Sequence, residues 1–148
     1  MPDRPFPAPT DLLPHRPPFL FVDEILDLVP GTSARARWHV DPDAFFFPGH
    51  FPGNPILPGV IIIEALAQTG ALAAMAEAET AGKLALFAGI GKARFRRVVR
   101  PGEDLVLETV LTRRRGMLGS GEGTATVDGV TACVTELSFA LVDAGEAG

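Results

Sequence analysis

The chain has no tyrosine, a single cysteine, a single tryptophan and three histidines among its 148 residues. One cysteine, Cys133, excludes an intrachain disulfide and any multi-cysteine zinc site, so nothing calls for an oxidising compartment and the cytoplasm is expected. Three chemical signatures are also missing. There is no phosphate-binding glycine loop of the G-x-x-x-x-G-K-S/T kind, no G-x-S-x-G nucleophile elbow and no paired-histidine metal spacing. Long hydrophobic runs are lacking too. The most apolar stretch, Val60 to Ala76, falls short of the ~20 residues of a membrane span and contains Glu64 and Gln68, so it is expected to be a buried helix. The N-terminal Met-Pro-Asp-Arg-Pro-Phe-Pro-Ala-Pro lacks the apolar segment of a signal peptide, and secretion is not expected.

What is present describes one folding unit. The length suits a single domain with a real core. Seven of the fourteen prolines fall within the first eighteen residues, which predicts a flexible tail over 1–9 and one domain over 10–148. With 47% hydrophobic and 21% charged residues, the chain has more apolar surface than a small monomer needs, and a homo-oligomer is expected. The net charge is −5, but residues 80–102 hold Lys83, Lys92, Arg94, Arg96, Arg97 and Arg100 with no acid. A basic patch on an acidic body argues against general nucleic-acid binding and suits docking to one acidic partner.

The pattern of elements predicts an α+β fold. Thr10 or Asp11 is expected to cap one helical turn ending before Pro14. Phe19 to Val29 reads as a strand and turn. Thr32 to Val40 alternates cleanly, with Ser33, Arg35, Arg37 and His39 on one face and Ala34, Ala36, Trp38 and Val40 on the other. Strong helix formers run from Gly59 to Ala81, apolar on every face, so that helix has to be wrapped on several sides. Strands are expected over 84–99, 104–113, 124–127 and 130–142, with Asp128-Gly129 marking a tight hairpin.

The chemistry concentrates between Phe45 and Gly70. Five prolines between Pro42 and Pro58 stiffen a loop carrying His50, and the helix that follows carries Glu64 among isoleucines, leucines and alanines. His39, on the outer strand face, is expected to be solvated, and His15, set among prolines, to be a structural hydrogen-bonder. His50 is either a loop histidine bonded to nearby carbonyls or an acid–base group. Glu64 is either paired with an arginine at an interface or a carboxylate driven towards its neutral form by burial, with Gln68 one turn on to orient it. Pro58-Gly59 supplies a helix start with unpaired N–H groups. A base, an acid and an oxyanion site fit proton abstraction beside a thioester carbonyl. Cys133, within a strand, is expected to be a buried apolar group.

Leu12-Leu13-Pro14-His15-Arg16, Pro18-Phe19-Leu20, Val22-Asp23, Gly49-His50-Phe51-Pro52-Gly53, Pro58-Gly59-Val60, Glu64-Ala65, Ala67-Gln68, Phe87-Ala88-Gly89-Ile90 and Ala93-Arg94-Phe95 together resemble the β-hydroxyacyl-[acyl-carrier-protein] dehydratases of type II fatty acid synthesis, FabZ type. The resemblance runs from about Leu12 into the C-terminal strands. It implies a hot-dog fold, a curved antiparallel sheet wrapped around one long central helix. It also implies a homodimer, commonly assembled as a trimer of dimers, and dehydration of (3R)-hydroxyacyl-[acyl-carrier-protein] to the trans-2-enoyl thioester without metal or redox cofactor.

By that resemblance His50 is the catalytic base and Glu64 the acid, each site drawing them from different subunits. Gly59 and Val60 bind the thioester, Gln68 supports Glu64, and apolar residues around Phe51 line the acyl tunnel. Lys92, Arg94, Arg96, Arg97 and Arg100 dock the acyl carrier protein, with Phe95 pointing inward. The chain departs from relatives that gate the tunnel with a tyrosine; here the region is Leu84-Ala85-Leu86. Competing readings are another hot-dog thioester enzyme (dehydratase/isomerase, hydratase or thioesterase) and a non-catalytic acyl-carrier-binding subunit. Relatives with isomerase activity carry Asp where this chain has Glu64.

Overall fold

A computed structural model describes residues 5–146. In chain order the elements are α1 (Pro9–Leu12), β1 (Glu24–Val29), β2 (Ser33–His39), α2 (Gly59–Met75), a 3-10 turn (Ala78–Thr80), β3 (Leu84–Phe95), β4 (Asp104–Arg115), β5 (Leu118–Val127), β6 (Val130–Val142) and a closing 3-10 turn (Ala144–Glu146). The strands form one six-stranded antiparallel sheet in the order β1-β2-β4-β5-β6-β3. The sheet wraps α2, which touches all six strands. This is the hot-dog arrangement expected from the sequence. No helix among the described residues is long and apolar enough to cross a membrane.

Alternation in β2 is as read, with Ala34, Ala36 and Trp38 in the core. Asp128 and Gly129 take the positive φ values, 50° and 79°, that a tight hairpin between β5 and β6 requires. The core gathers Leu66 and Leu72 from α2 with Val40, Leu105, Leu107 and Ala125, all fully inaccessible. Burying a leucine of this kind contributes about 2 kcal/mol relative to leaving it exposed.

Several boundaries differ from the sequence reading, each for an identifiable reason. The N-cap of α1 is Ala8 rather than Thr10 or Asp11; Asp11 instead accepts a hydrogen bond from the Ala8 N–H at 3.0 Å. Phe6 packs on the core and Pro9 is buried, so packing begins before residue 10, whereas residues 1–4 of the expected tail lie outside the described residues. Strand pairing begins at Glu24, because the backbone of Phe19 and Phe21 is bound by a side chain of α2 and not by a neighbouring strand. Helix α2 stops at Met75, where the Gly31 N–H takes the Ala73 carbonyl at 2.9 Å and the Thr80 hydroxyl takes that of Ala74. At 1.5 Å per residue its 17 residues span about 26 Å.

The length of β5 differs as well, Leu118–Val127 in place of 124–127. Gly119, Gly121 and Gly123 weaken its strand signal, yet they lie in the ladder. A Cβ at Gly123 would stand 3.1 Å from Leu66 Cβ and one at Gly121 2.8 Å from the Val110 carbonyl oxygen. These positions lack side chains because the helix and the neighbouring backbone come too close. At one edge of the sheet, β3 leaves one row of backbone groups unpaired, and Leu86, Phe87, Ile90 and Phe95 along it are each more than 40% exposed. Such a long apolar edge is a template for pairing with another chain.

Candidate active site

The His50 loop is a chain of tight turns. Phe51 and Asn54 exchange backbone hydrogen bonds at 3.0 and 2.9 Å, the Ile56 N–H donates to the His50 carbonyl at 2.8 Å, and the Leu57 N–H donates to the Val99 carbonyl at 2.8 Å. That last bond explains why β3 ends at Phe95 and not at Val99: the chain leaves the sheet to hold the loop. The His50 ring stacks on Phe51 with centroids 4.1 Å apart.

The His50 Nδ1 lies 2.8 Å from the Ile56 carbonyl oxygen. A carbonyl only accepts, so Nδ1 carries the proton of the neutral ring and Nε2 keeps its lone pair. His50 is bonded to a nearby carbonyl, and that bond leaves the lone pair of the other nitrogen unengaged by it.

His50 opens onto a cleft shared with Leu57, Gly59, Val60, Phe95, Arg96 and Arg97. Gly59 is the first residue of α2, where helix geometry provides no acceptor for the leading N–H groups. A Cβ there would fall 2.7 Å from the Phe95 ring, so only glycine allows that ring to cover the helix start. Phe95 was expected to point inward; its ring lies over the helix start, but 51% of it is exposed in the single chain.

Glu64 faces a different, narrow and largely apolar cavity, lined among others by His15, Gln68, Ala71, Leu86, Phe87, Gly121 and Phe139. Phe51 does not line it. Burial pushes the Glu64 carboxyl above the ordinary carboxylate range, and a hydrogen bond from Gln68 partly offsets the rise. Gln68 is almost fully buried and entirely engaged. Its Oε1 accepts from the Phe21 N–H at 2.8 Å, and its Nε2 donates to the Phe19 carbonyl at 3.2 Å and to Glu64 Oε2 at 3.1 Å. Among the described residues no arginine pairs with Glu64; its neighbours are Gln68 and His15.

His15 departs from the sequence reading. It was expected to be a structural hydrogen-bonder, but its Nδ1 is buried without a partner and its Nε2 stands 3.7 Å from Glu64 Oε2. Burial, helped by neighbouring Arg16, holds the ring below the ordinary histidine range and so favours the neutral form. His39 is exposed and pairs with Asp104 at 2.8 Å. Cys133 is fully buried with its thiol pushed up to about 11, which leaves it unreactive.

The cations expected to form one patch have unlike surroundings, with Arg96 bordering both recesses. Lys92, Arg94 and Arg96 line a shallow depression with Glu122 and Glu136. Arg97 is held by both oxygens of Glu103, at 3.0 and 2.7 Å, and Arg100 reaches Asn54 Oδ1 at 3.1 Å. The Arg97 pair holds the Glu103 carboxyl below its usual range.

Within one chain, then, His50 with the helix-start N–H groups and Glu64 with its apolar cavity lie in separate recesses with no lining residue in common. Residues 13–136 match the FabA-like domain family. The chain is 57% identical over 132 residues to the 3-hydroxyacyl-[acyl-carrier-protein] dehydratase FabZ of Chloroflexus aggregans, covering 89% of this chain and 92% of the relative. It is 51% identical over 136 residues to the protein of that name from Bacillus cereus, covering 92% and 94%. Among solved structures, the dehydratase heterocomplex ApeI:P from Xenorhabdus doucetiae superposes with a TM-score of 0.81 over 95% of both chains at 20% identity, which shows the shared fold. Identity at this level over nearly the whole chain, on the hot-dog fold, places the protein in the FabA-like family as a FabZ-type 3-hydroxyacyl-[acyl-carrier-protein] dehydratase.

Proposed function

We propose that the protein dehydrates (3R)-hydroxyacyl thioesters on acyl carrier protein to the trans-2-enoyl thioesters of type II fatty acid synthesis, with His50 as base and Glu64 as acid. It is a hydro-lyase, and the activity follows from its family. The observation that carries the residue roles is the pairing of two complementary groups. His50 has its Nε2 free because Nδ1 is tied to Ile56 O, and Glu64 is pushed towards the neutral acid by burial.

In the proposed reaction the thioester oxygen accepts the Gly59 N–H at the start of α2, with Val60 beside it, and the developing enolate charge is stabilised by that N–H and the helix dipole. His50 Nε2 removes the α-proton. Glu64 gives its proton to the β-hydroxyl, which leaves as water. The acyl chain occupies the apolar cavity next to Glu64, where Leu86 and Phe87 stand in place of a tyrosine gate.

The separate recesses of one chain favour a site built by two. Pairing β3 with the β3 of a second copy would cover Phe87, Ile90 and Phe95 and complete each His50 cleft with the partner's acid. Three such dimers would give the hexamer, and sedimentation at assay concentration distinguishes the two assemblies. A cytoplasmic location accompanies this reading.

Formation of the conjugated enoyl thioester from 3-hydroxyacyl carriers of several chain lengths tests the activity directly. Turnover is expected; carrier binding without turnover would favour the non-catalytic subunit instead. Docking is assigned to Lys92, Arg94 and Arg96, with Arg97 and Arg100 shaping the cleft rim. Reversing charge at Arg94 and Arg96 is expected to raise KM for carrier-bound substrate roughly tenfold, about 1.4 kcal/mol, and to leave KM for a short pantetheine thioester unchanged. Equal effects on both substrates would remove these residues from docking.

A further inference from the structure

The hydrogen bonds of Gln68 determine which oxygen of Glu64 can hold a proton. The Phe21 N–H can only meet an oxygen, so Oε1 of Gln68 is fixed at 2.8 Å from it and both amide hydrogens point the other way. One of those hydrogens meets the Phe19 carbonyl and the other meets Glu64 Oε2. Glu64 Oε2 is therefore always an acceptor. When Glu64 is neutral its proton sits on Oε1, the only atom from which it can be given away.

His15 lies on the same side as Oε2, with Nε2 3.7 Å away, beyond hydrogen-bond length but within a sub-ångström closure of it. Its Nδ1 is buried with no partner. An unpaired buried N–H is rarer and costlier than an under-used acceptor, so the single hydrogen of the neutral ring belongs on Nε2, directed at Glu64. The His15 and Glu64 side chains are 21% and 17% exposed, leaving little water to compete. Among the residues lining this cavity His15 and Glu64 are the only titratable ones, and Arg16 is the adjoining charge.

We infer that His15 is a positioning residue for the acid: its Nε2–H closes on Glu64 Oε2 as the carboxylate forms, so that it stabilises Glu64 after proton release more than before. This rests on the role of Glu64 proposed above. The proton that leaves Oε1 goes to the departing hydroxyl to make water, and His15 keeps its own proton throughout. An interaction stronger at the end of proton transfer than at its start lowers the barrier without tightening substrate binding. This predicts a change in kcat at constant KM.

The test uses the intact enzyme with His15→Met, His15→Gln and His15→Asn, each also placed in a Glu64→Gln background. Gln carries an N–H donor near the Nε2 position, Met has no donor, and Asn places its donor near Nδ1, too short to reach Oε2. His15→Met and His15→Asn are expected to lower kcat about ten- to a hundredfold with KM within about twofold, the loss of one hydrogen bond to a charged group. His15→Gln is expected to recover to within about threefold of wild type. In the Glu64→Gln background, single-turnover rates are expected to change by less than about twofold, because the effect acts through the carboxylate.

The inference is overturned if His15→Met costs the same factor in both backgrounds, if His15→Gln is as impaired as His15→Met, or if only KM moves. Should His15→Met fail to fold, the comparison of Gln with Asn decides in the same way. Wild-type activity in Glu64→Gln alone would overturn the proposed role of Glu64. An inactive Glu64→Gln with a fully active His15→Met would overturn only the inference about His15.

Discussion

Replacing His50 with alanine is expected to lower kcat/KM about a thousandfold, and Glu64→Gln to do the same within a factor of ten, the range for losing a general base or acid. Neither change should disturb folding. His50 sits in a loop held by backbone bonds that alanine keeps, and glutamine matches the shape of Glu64 while removing a carboxyl that burial already disfavours. Thermal unfolding within a few degrees of wild type is the accompanying control. The decisive measurement mixes the two inactive proteins and lets subunits exchange. If each site takes His50 from one chain and Glu64 from the other, a mixed dimer holds one doubly altered site and one intact site, and random pairing restores about a quarter of wild-type activity. A mixture no more active than its components would place both groups of each site on one chain.

Gln68→Leu is expected to be the most damaging single change to stability at the site, by about 3 kcal/mol. Leucine fills a similar volume, so little of this comes from a cavity. The loss arises because the Phe21 N–H and the Phe19 carbonyl, both tied to Gln68, are left without partners in a buried environment. Denaturant unfolding at a fixed protomer concentration reads it; a cost below about 1 kcal/mol would mean that water or a shifted backbone replaces those bonds. A pH effect accompanies the change. Gln68 donates to Glu64 Oε2 and so favours the ionised carboxyl, and removing it lets burial push that carboxyl further up. In its proposed role Glu64 acts as the protonated acid, so the alkaline limb of kcat should move to higher pH in whatever activity survives.

How far the sequence revealed this molecule depends on the range of the interaction. Alternation in β2, the apolar helix after Pro58 and the Asp128-Gly129 hairpin were legible because each is set within a few residues. Glu64 and Gln68 were legible as a pair because a helical turn joins them. The start of β1 was not, since what replaces strand pairing at Phe19 and Phe21 is a glutamine far along the chain. His15 was misread for the same reason. Its prolines signal an extended loop, and nothing local reveals that the loop ends against Glu64. Strand β5 was legible only from residue 124 onward, because local propensity at Gly121 and Gly123 cannot anticipate the close approach of Leu66 and the Val110 backbone. The paired state of Arg97 was hidden because Glu103 sits across a turn from it.

Those glycines also bear on how the enzyme can change over evolution. Under the proposed function the acyl cavity has two unlike walls. On the β5 side its limit is set at Gly121 by main chain, since a methyl group there would meet the Val110 carbonyl oxygen at 2.8 Å. On the opposite side it is bounded by the side chains of Leu86, Phe87 and Phe139. A rigid wall cannot drift without refolding the sheet, whereas a wall of side chains can be trimmed or enlarged one substitution at a time. Adaptation to longer or shorter acyl chains is thereby channelled to β3 and β6, and glycine at position 121 is required by main-chain sterics however the substrate varies.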